Sequence, residues 1–323
     1  MKLLRRRFLY LAAGAAVLPA ATRMAHAQAW PTRPVQLIVM FPPGNAPDII
    51  ARLAGQVLSE RLGQPFIVEN RPGAGGGIAT EYVAKAAPDG HTILLSVSSN
   101  TVNAALDRYA KIDFVRDLSP IAGIGKTPYV IVTPLSFPAT TLPQFIAHLK
   151  ANPGKVNMAS SGLASGPHIS GELFQLMTGT KMLHVPYKGN YMPDVISGEV
   201  QVLFAPIAQA LSLIRDGKLR ALGVTYSQRT ATLPDVPAID EVVTGYEVLG
   251  WYGLSAPAKT PPDIIRKIGD AMNSALTDPA VPARLSKIGV DPMPLTADAF
   301  GKHIAEEVEK WTKVIKAQGL VVN

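Results

Sequence analysis

The sequence predicts an α/β fold built on mixed, mostly parallel sheets. Three observations carry that expectation. Short apolar runs of β type alternate with segments whose apolar residues recur every three or four positions, the pattern of strands joined by crossover helices. Of the 323 residues, 47% are hydrophobic and 17% charged, enough apolar surface to bury a substantial core and unlike a disordered chain. No Pro/Gly/Ser-rich linker separates two consecutive halves, and no period of 20–50 residues recurs, so no solenoid is expected.

The elements follow in order. Residues 35–40 read as a first strand, and the loop Phe41-Pro42-Pro43-Gly44-Asn45-Ala46-Pro47 comes after it. A helix is expected from near Asp48, its N-cap, with Ile50, Leu53, Ala54, Val57, Leu58 and Leu62 on one face. Residues 66–69 and 92–97 read as the second and third strands, with a helix over 78–87 between them. Strands over 156–159, 200–205 and 221–224 alternate with helices over 166–178 and 207–216. The last seventy residues turn helical, over 261–278, 279–288 and 296–318. In the final helix Phe300, Ile304, Val308, Trp311 and Ile315 form one stripe expected in the core. The β-type runs over 129–133 and 251–256 are the candidate places where the chain crosses between two domains.

Charge separates the leader from the rest. The chain carries 31 Lys+Arg against 24 Asp+Glu, a net charge of +7. Five of those cations, Lys2, Arg5, Arg6, Arg7 and Arg23, lie in the first 27 residues, which hold no acidic residue. A basic start, an apolar run from Phe8 to Leu18 and the small-residue pattern Ala25-His26-Ala27 together read as a cleavable signal peptide over 1–27. Arg5-Arg6-Arg7-Phe8-Leu9 fits the twin-arginine pattern, and a plain Sec leader fits equally. Cleavage would leave 26 Lys+Arg against 24 Asp+Glu, a net charge of +2, which is no electrostatic footprint for nucleic acid. Periplasmic location is therefore expected. With no cysteine, disulfides, Cys-ligated zinc, iron–sulfur clusters and thiol nucleophiles are excluded.

Catalytic signatures are missing. Gly73-Ala74-Gly75-Gly76-Gly77 invites a nucleotide reading, but the dinucleotide fingerprint would need glycine where Ile78 stands. No Lys-Ser/Thr follows for a P-loop, so a tight strand-to-helix passage is the better reading. There is no G-x-S-x-G elbow and no H-E-x-x-H, and the histidines lack ligand spacing. Nothing assembles a nucleophile, a base and an orienter, so no enzyme and no cofactor are expected.

Binding signals are better developed. Parallel α/β sheets hold ligands at the carboxyl ends of their strands, where helix N-termini present backbone N–H groups. The loop Gly44-Asn45-Ala46-Pro47-Asp48 has small residues that let an anion approach main-chain amides. A second loop, residues 159–168, holds Ser160, Ser161, Gly162, Ser165 and His168 directly before a helix, and Ser98-Ser99-Asn100 closes the third strand. Each offers neutral donors suited to a carboxylate. His168 suits either a ligand contact or the loop's own backbone.

Several segments carry a recognisable pattern in one order. They include Pro31-Thr32-Arg33-Pro34, Phe41-Pro42-Pro43-Gly44 with Asp48, and Glu69-Asn70-Arg71-Pro72-Gly73-Ala74-Gly75-Gly76. Later come His184-Val185-Pro186-Tyr187-Lys188-Gly189, Gly217-Lys218-Leu219-Arg220-Ala221-Leu222 and Trp251-Tyr252-Gly253-Leu254. The chain thereby resembles the extracytoplasmic solute receptors of the tripartite tricarboxylate transporter family, also called Bug receptors. The resemblance implies a two-lobed periplasmic-binding-protein fold of type II with an interdomain cleft. With the crossings above, lobe 1 is expected over 28–128 and 254–323 and lobe 2 over 129–253. It also implies a monomer that binds a small organic anion by hinge closure and delivers it to a two-component membrane permease on another chain. A sensor kinase ectodomain is the alternative partner, and a two-lobed hydrolase or lyase the remaining rival.

Carried over by position, Phe41, Gly44, Asn45, Ala46 and Asp48 would grip one carboxylate through main-chain amides. Ser98, Ser99 and Asn103 would line the same lobe. Ser160, Ser161, Gly162, Ser165 and His168 would face them, with Tyr187 and Lys188 on the next loop and Phe204 and Ala205 at a strand end. Lys188 is equally compatible with an exposed turn charge. The departures matter: Asn45, Ala46 and Pro47 stand where the family usually has Gly and Ser/Thr, and Ala205 where it commonly has Asp. Loss of that acid argues against an amino-acid ligand and favours a dicarboxylate or aromatic carboxylate. Tyr191 and Met192 replace small residues, and would either add apolar surface to the cleft or pack beneath the next helix.

Overall fold

The computed structural model describes residues 30–107, 111–187 and 189–318. The basic leader with its A-x-A pattern lies outside the described residues, as does Lys188. The first strand, β1 (Val35–Val39), runs between β2 (Phe66–Asn70) and β3 (Thr92–Val97), parallel to both. A strand covered on both faces is mostly apolar, and Val35, Leu37, Ile38 and Val39 are fully buried while Gln36, half-buried, accepts from Tyr82 and Thr92. The crossovers are α1 (Ala46–Leu62) and α2 (Gly77–Ala84). Between β2 and α2 the glycine run makes the tight passage expected of it. Gly76 has φ +96°, which strains any residue with a Cβ, and a methyl group there would also have to push aside the Met40 side chain, 1.9 Å away at Cε.

The molecule turns on β4 (Leu118–Pro134). Its first part pairs antiparallel with β9 (Leu249–Pro257), from Leu118 opposite Pro257 to Pro128 opposite Leu249. From Tyr129 onward it pairs instead with β7 (Val202–Pro206) and β8 (Leu219–Val224). One strand thus serves both lobes, and the change of partner falls at Pro128 and Tyr129. In the second lobe β5 (Asn157–Ser160) lies parallel to β6 (Leu183–Pro186) and β7. The strand order is β2-β1-β3-β9-β4-β7-β5-β6, with β8 and the short β10 (Asp291–Pro292) also on β4. Parallel pairing fills the outer part of each lobe and antiparallel pairing the centre, the mixed sheet of a two-lobed periplasmic-binding-protein fold.

The helices α6 (Gly166–Thr178), α8 (Ile207–Arg215), α9 (Pro262–Leu276) and α10 (Ala280–Lys287) occupy the segments whose periodicity announces them. Unannounced are α3 (Ser98–Ala105), α4 (Phe114–Asp117), α5 (Leu142–Ala151) and α7 (Met192–Ser197), together with β6 and β10. Ser98-Ser99-Asn100, expected as a loop, is the first turn of α3. Its polar side chains serve the backbone: Val97 N–H donates to Asn100 Oδ1 at 2.8 Å and Thr101 Oγ1 donates to Ser98 O at 2.7 Å. Such self-capping needs no apolar period, so none is visible.

The last helix, α11 (Ala297–Gln318), crosses both lobes. Phe300 and Ile304 join the first core, whereas Trp311, Val314 and Ile315 join the second core with Phe145, Phe174 and Tyr246. Val308, between them, is half-buried. A third cluster around Val130, Val132, Leu203 and Ile207 covers the other face of the second lobe's sheet.

Candidate ligand-binding cleft

A cleft of about 760 Å3 opens where the lobes meet, the size of a small-molecule site. The crossing strands contribute Tyr129, Gly250, Trp251 and Tyr252; sequence reasoning missed all four as site residues. Tyr129, Trp251 and Tyr252 sit in the two β-type runs expected to carry the chain between lobes, which was the available signal, and Gly250 lies one residue before the second run. Tyr129 approaches the start of α6 closely. A methyl group on Gly166 would lie 1.8 Å from its hydroxyl oxygen. Burial pushes the Tyr129 phenol up, next to Tyr252 and against the pull of its hydrogen bond with Ser98, so it stays protonated.

The first lobe's wall is the start of α1. Asn45 is its N-cap, its Oδ1 accepting from Asp48 N–H at 3.2 Å, so the expected cap, Asp48, is corrected to the third helical residue. A carboxylate serves better there because it collects donors from three segments. Gly44 N–H donates to Asp48 Oδ2 at 2.9 Å, Arg52 donates to both its oxygens at 3.0 Å, and Asn70 Nδ2 donates to Oδ1 at 2.9 Å. Burial opposes the charge, but these donors outweigh it and hold the Asp48 carboxyl at about 2. Asn70 Nδ2 also donates to Phe41 O at 3.0 Å. Asp48 therefore braces the loop from behind. No protein acceptor among the described residues takes the Asn45 and Ala46 amides, which stand at the N-terminus of a 17-residue helix.

Of the residues expected at the site, Phe41, Asn45, Ala46, Ser98, Ser99, Ser161, Gly162, Ser165 and Tyr187 border the cleft. Gly44 and Asp48 lie behind its wall. Asn103 is buried, its Nδ2 donating to Gly75 O at 3.0 Å and Ser99 O at 2.7 Å, which ties α3 to the glycine turn. Phe204 and Ala205 are fully buried on opposite faces of β7, and only the next residue, Pro206, reaches the cleft. Ala205, expected at the site, is instead a core residue that takes no part in lining the cleft. Tyr191 borders the cleft while buried in the third cluster, and Met192 packs against that cluster without reaching the cleft.

His168 also sits behind the second lobe's loop. Its Nδ1 accepts from Ala164 N–H at 3.3 Å, and its ring lies 4.1 Å from that of His184. Ser160, likewise off the cleft, bonds His184 Nε2 at 2.5 Å and accepts from Gly162 N–H at 3.0 Å. Burial, together with His184, lowers His168 to about 3, so it is neutral and serves the loop. Glu172 Oε1 approaches its Nε2 at 3.6 Å, with its own carboxyl pushed up by burial.

Among the described residues, none bordering the cleft is Asp, Glu, Lys, Arg or His. What remains is neutral donors, tyrosine and tryptophan rings, and prolines. The N-termini of α1 and α6 enter from opposite lobes, each placing partial positive charge at the cleft. Such a site suits an anion with an apolar body.

Comparison with known proteins places this geometry. Residues 50–320 match the model of the tripartite tricarboxylate transporter family receptor. Protein BugT of Bordetella pertussis is 38% identical over 300 residues, covering 91% of each chain. An R. palustris protein solved with adipate superposes with TM-score 0.82 at 33% identity, over 90% of this chain and 98% of that one. MatC from Rhodopseudomonas palustris with bound malate gives TM-score 0.79 at 30% identity, over 88% and 100%. A match over most of the chain, on a two-lobed fold with its cleft at the crossing strands, shows that the protein belongs to the tripartite tricarboxylate transporter receptor family, the Bug receptors.

Proposed function

We propose that this receptor captures a small organic carboxylate in the periplasm, a dicarboxylate or aromatic carboxylate above all, and delivers it to a two-component membrane permease. The observation that carries the reading is a cleft with two opposed helix N-termini and no charged side chain among its described lining residues. One carboxylate docks on the Asn45 and Ala46 amides and the Ser98 and Ser99 hydroxyls. The second lobe then closes over it through Ser161, Ser165 and Gly166, rotating about β4 and β9. The two structural relatives solved with adipate and malate support this chemistry. A micromolar ligand requires roughly 8 kcal/mol. Four or five hydrogen bonds to a charged group, at about 1.5–3 kcal/mol each, meet that after the ordering cost.

A thermal-shift panel of monocarboxylates, dicarboxylates, aromatic acids and amino acids tests the reading. A ligand at a hundred times its Kd stabilises by about 2.7 kcal/mol, roughly 5 °C for a chain of this size. Dicarboxylates or aromatic acids are expected to give that shift. A shift with amino acids alone, or with no organic acid, overturns the proposal.

A further inference from the structure

The far wall of the cleft holds one polar arrangement that the binding scheme above leaves unused. Tyr191, immediately before α7, and Gln209, the third residue of α8, both border the cleft. Tyr191 is buried, and its hydroxyl donates to Gln209 Oε1 at 2.8 Å, while the Gln209 side chain is exposed. Burial holds the Tyr191 phenol up at about 12, so it remains a donor at any working pH. An amide whose oxygen is taken in this way presents its NH2 group outward. Its neighbours cannot do the same. Tyr187 spends its own hydroxyl on Asp194 Oδ2 at 2.8 Å and meets Tyr191 edge to face, with ring centroids 6.2 Å apart. The two tyrosines therefore offer ring surface, and Gln209 offers the amide N–H donors.

We infer that Gln209, oriented by Tyr191, is the specificity-determining residue that reads a hydrogen-bond acceptor on the end of the ligand away from α1. The inference rests on the carboxylate reading of the cleft. It assigns the class of the second group: a second carboxylate, or another strong acceptor, separated by an apolar or aromatic body from the carboxylate at α1. The NH2 group donates to such an acceptor, and the amide oxygen, already accepting from Tyr191, is left with less capacity for an ammonium. When the lobes close over a monocarboxylate that ends in a methyl or bare ring, the amide loses its water and gains no partner, which costs affinity.

The test compares matched acids by titration calorimetry: adipate against hexanoate, and terephthalate against benzoate. The wild type is expected to prefer the diacid of at least one pair by ten-fold or more. Gln209→Leu is expected to cost that diacid about ten-fold while changing its monoacid less than three-fold. Tyr191→Phe, which keeps the ring but releases the amide, is expected to lower the same preference. Gln209 is exposed, so an unliganded melting temperature equal to wild type shows that the variant is folded. Equal losses for diacid and monoacid in Gln209→Leu, or no loss for either, overturn the role of Gln209. A wild type that binds monoacids as tightly as diacids overturns the far-end reading but leaves carboxylate capture standing. A wild type that binds none of the four, in calorimetry and in the thermal panel, removes the carboxylate reading itself.

Discussion

At the residue scale, Asp48 shows how a charged side chain can serve a site it does not touch. The three protein groups that grip it, Gly44, Arg52 and Asn70, set the loop whose amides face the cleft. Asp48→Asn keeps the shape but not the charge, and is expected to lower the unfolding free energy by about 2 kcal/mol at pH 7. The Asp48 carboxyl is held below its ordinary value, so its contribution is complete above pH 4 and is lost as pH falls towards 2. Denaturant unfolding of both proteins from pH 7 to pH 2.5 should therefore show the gap narrowing below pH 4. A gap independent of pH would remove the electrostatic explanation. Asp48 was legible in the sequence as a residue that matters, but its role was not. Cap and brace differ only in which segment supplies the donors, and Asn70 lies 22 residues away.

At the element scale, the site depends on where helices begin. Both α1 and α6 start on small residues with a proline in the first turn, a pattern readable in the sequence because proline's fixed φ and missing N–H suit that place. What α6 meets there was not readable. Gly166 admits the Tyr129 hydroxyl from β4, and the intruding methyl of Gly166→Ala must displace the ring or the helix start. The substitution is expected to weaken carboxylate binding by ten-fold or more while costing about 1–3 kcal/mol of stability. Calorimetry beside a denaturant melt separates the two effects; unchanged affinity would show that Tyr129 does not shape the cleft. The short α3 and α7 escaped notice for a different reason. Their first turns are held by local polar bonds such as Val97 N–H to Asn100 Oδ1, or by proline, and one turn or two cannot display a period.

At the scale of the whole molecule, β4 and β9 make the two lobes one mechanical unit, and α11 spans both cores from Phe300 to Ile315. The proposed closure is expected to be reported by Trp251, the tryptophan of β9 that borders the cleft, since Trp30 and Trp311 lie elsewhere. Adding a carboxylate that binds should shift the intrinsic tryptophan emission and reduce the radius of gyration in solution scattering. Trp251→Phe should remove most of the emission change and leave the scattering change in place. A full emission change in that variant would move the reporting site away from β9. The α/β class, the order and approximate bounds of the long elements, and the small hydroxyl-rich loops of the cleft were all legible in the amino-acid order. These follow from periodicity and turn chemistry, which act over a few residues. The folded arrangement alone puts Tyr129, Trp251 and Tyr252 at the cleft, His168 and Asn103 behind it where they serve loops, and Ala205 in the core. Those roles depend on which residues distant in the chain meet at one point, and local pattern does not carry that information.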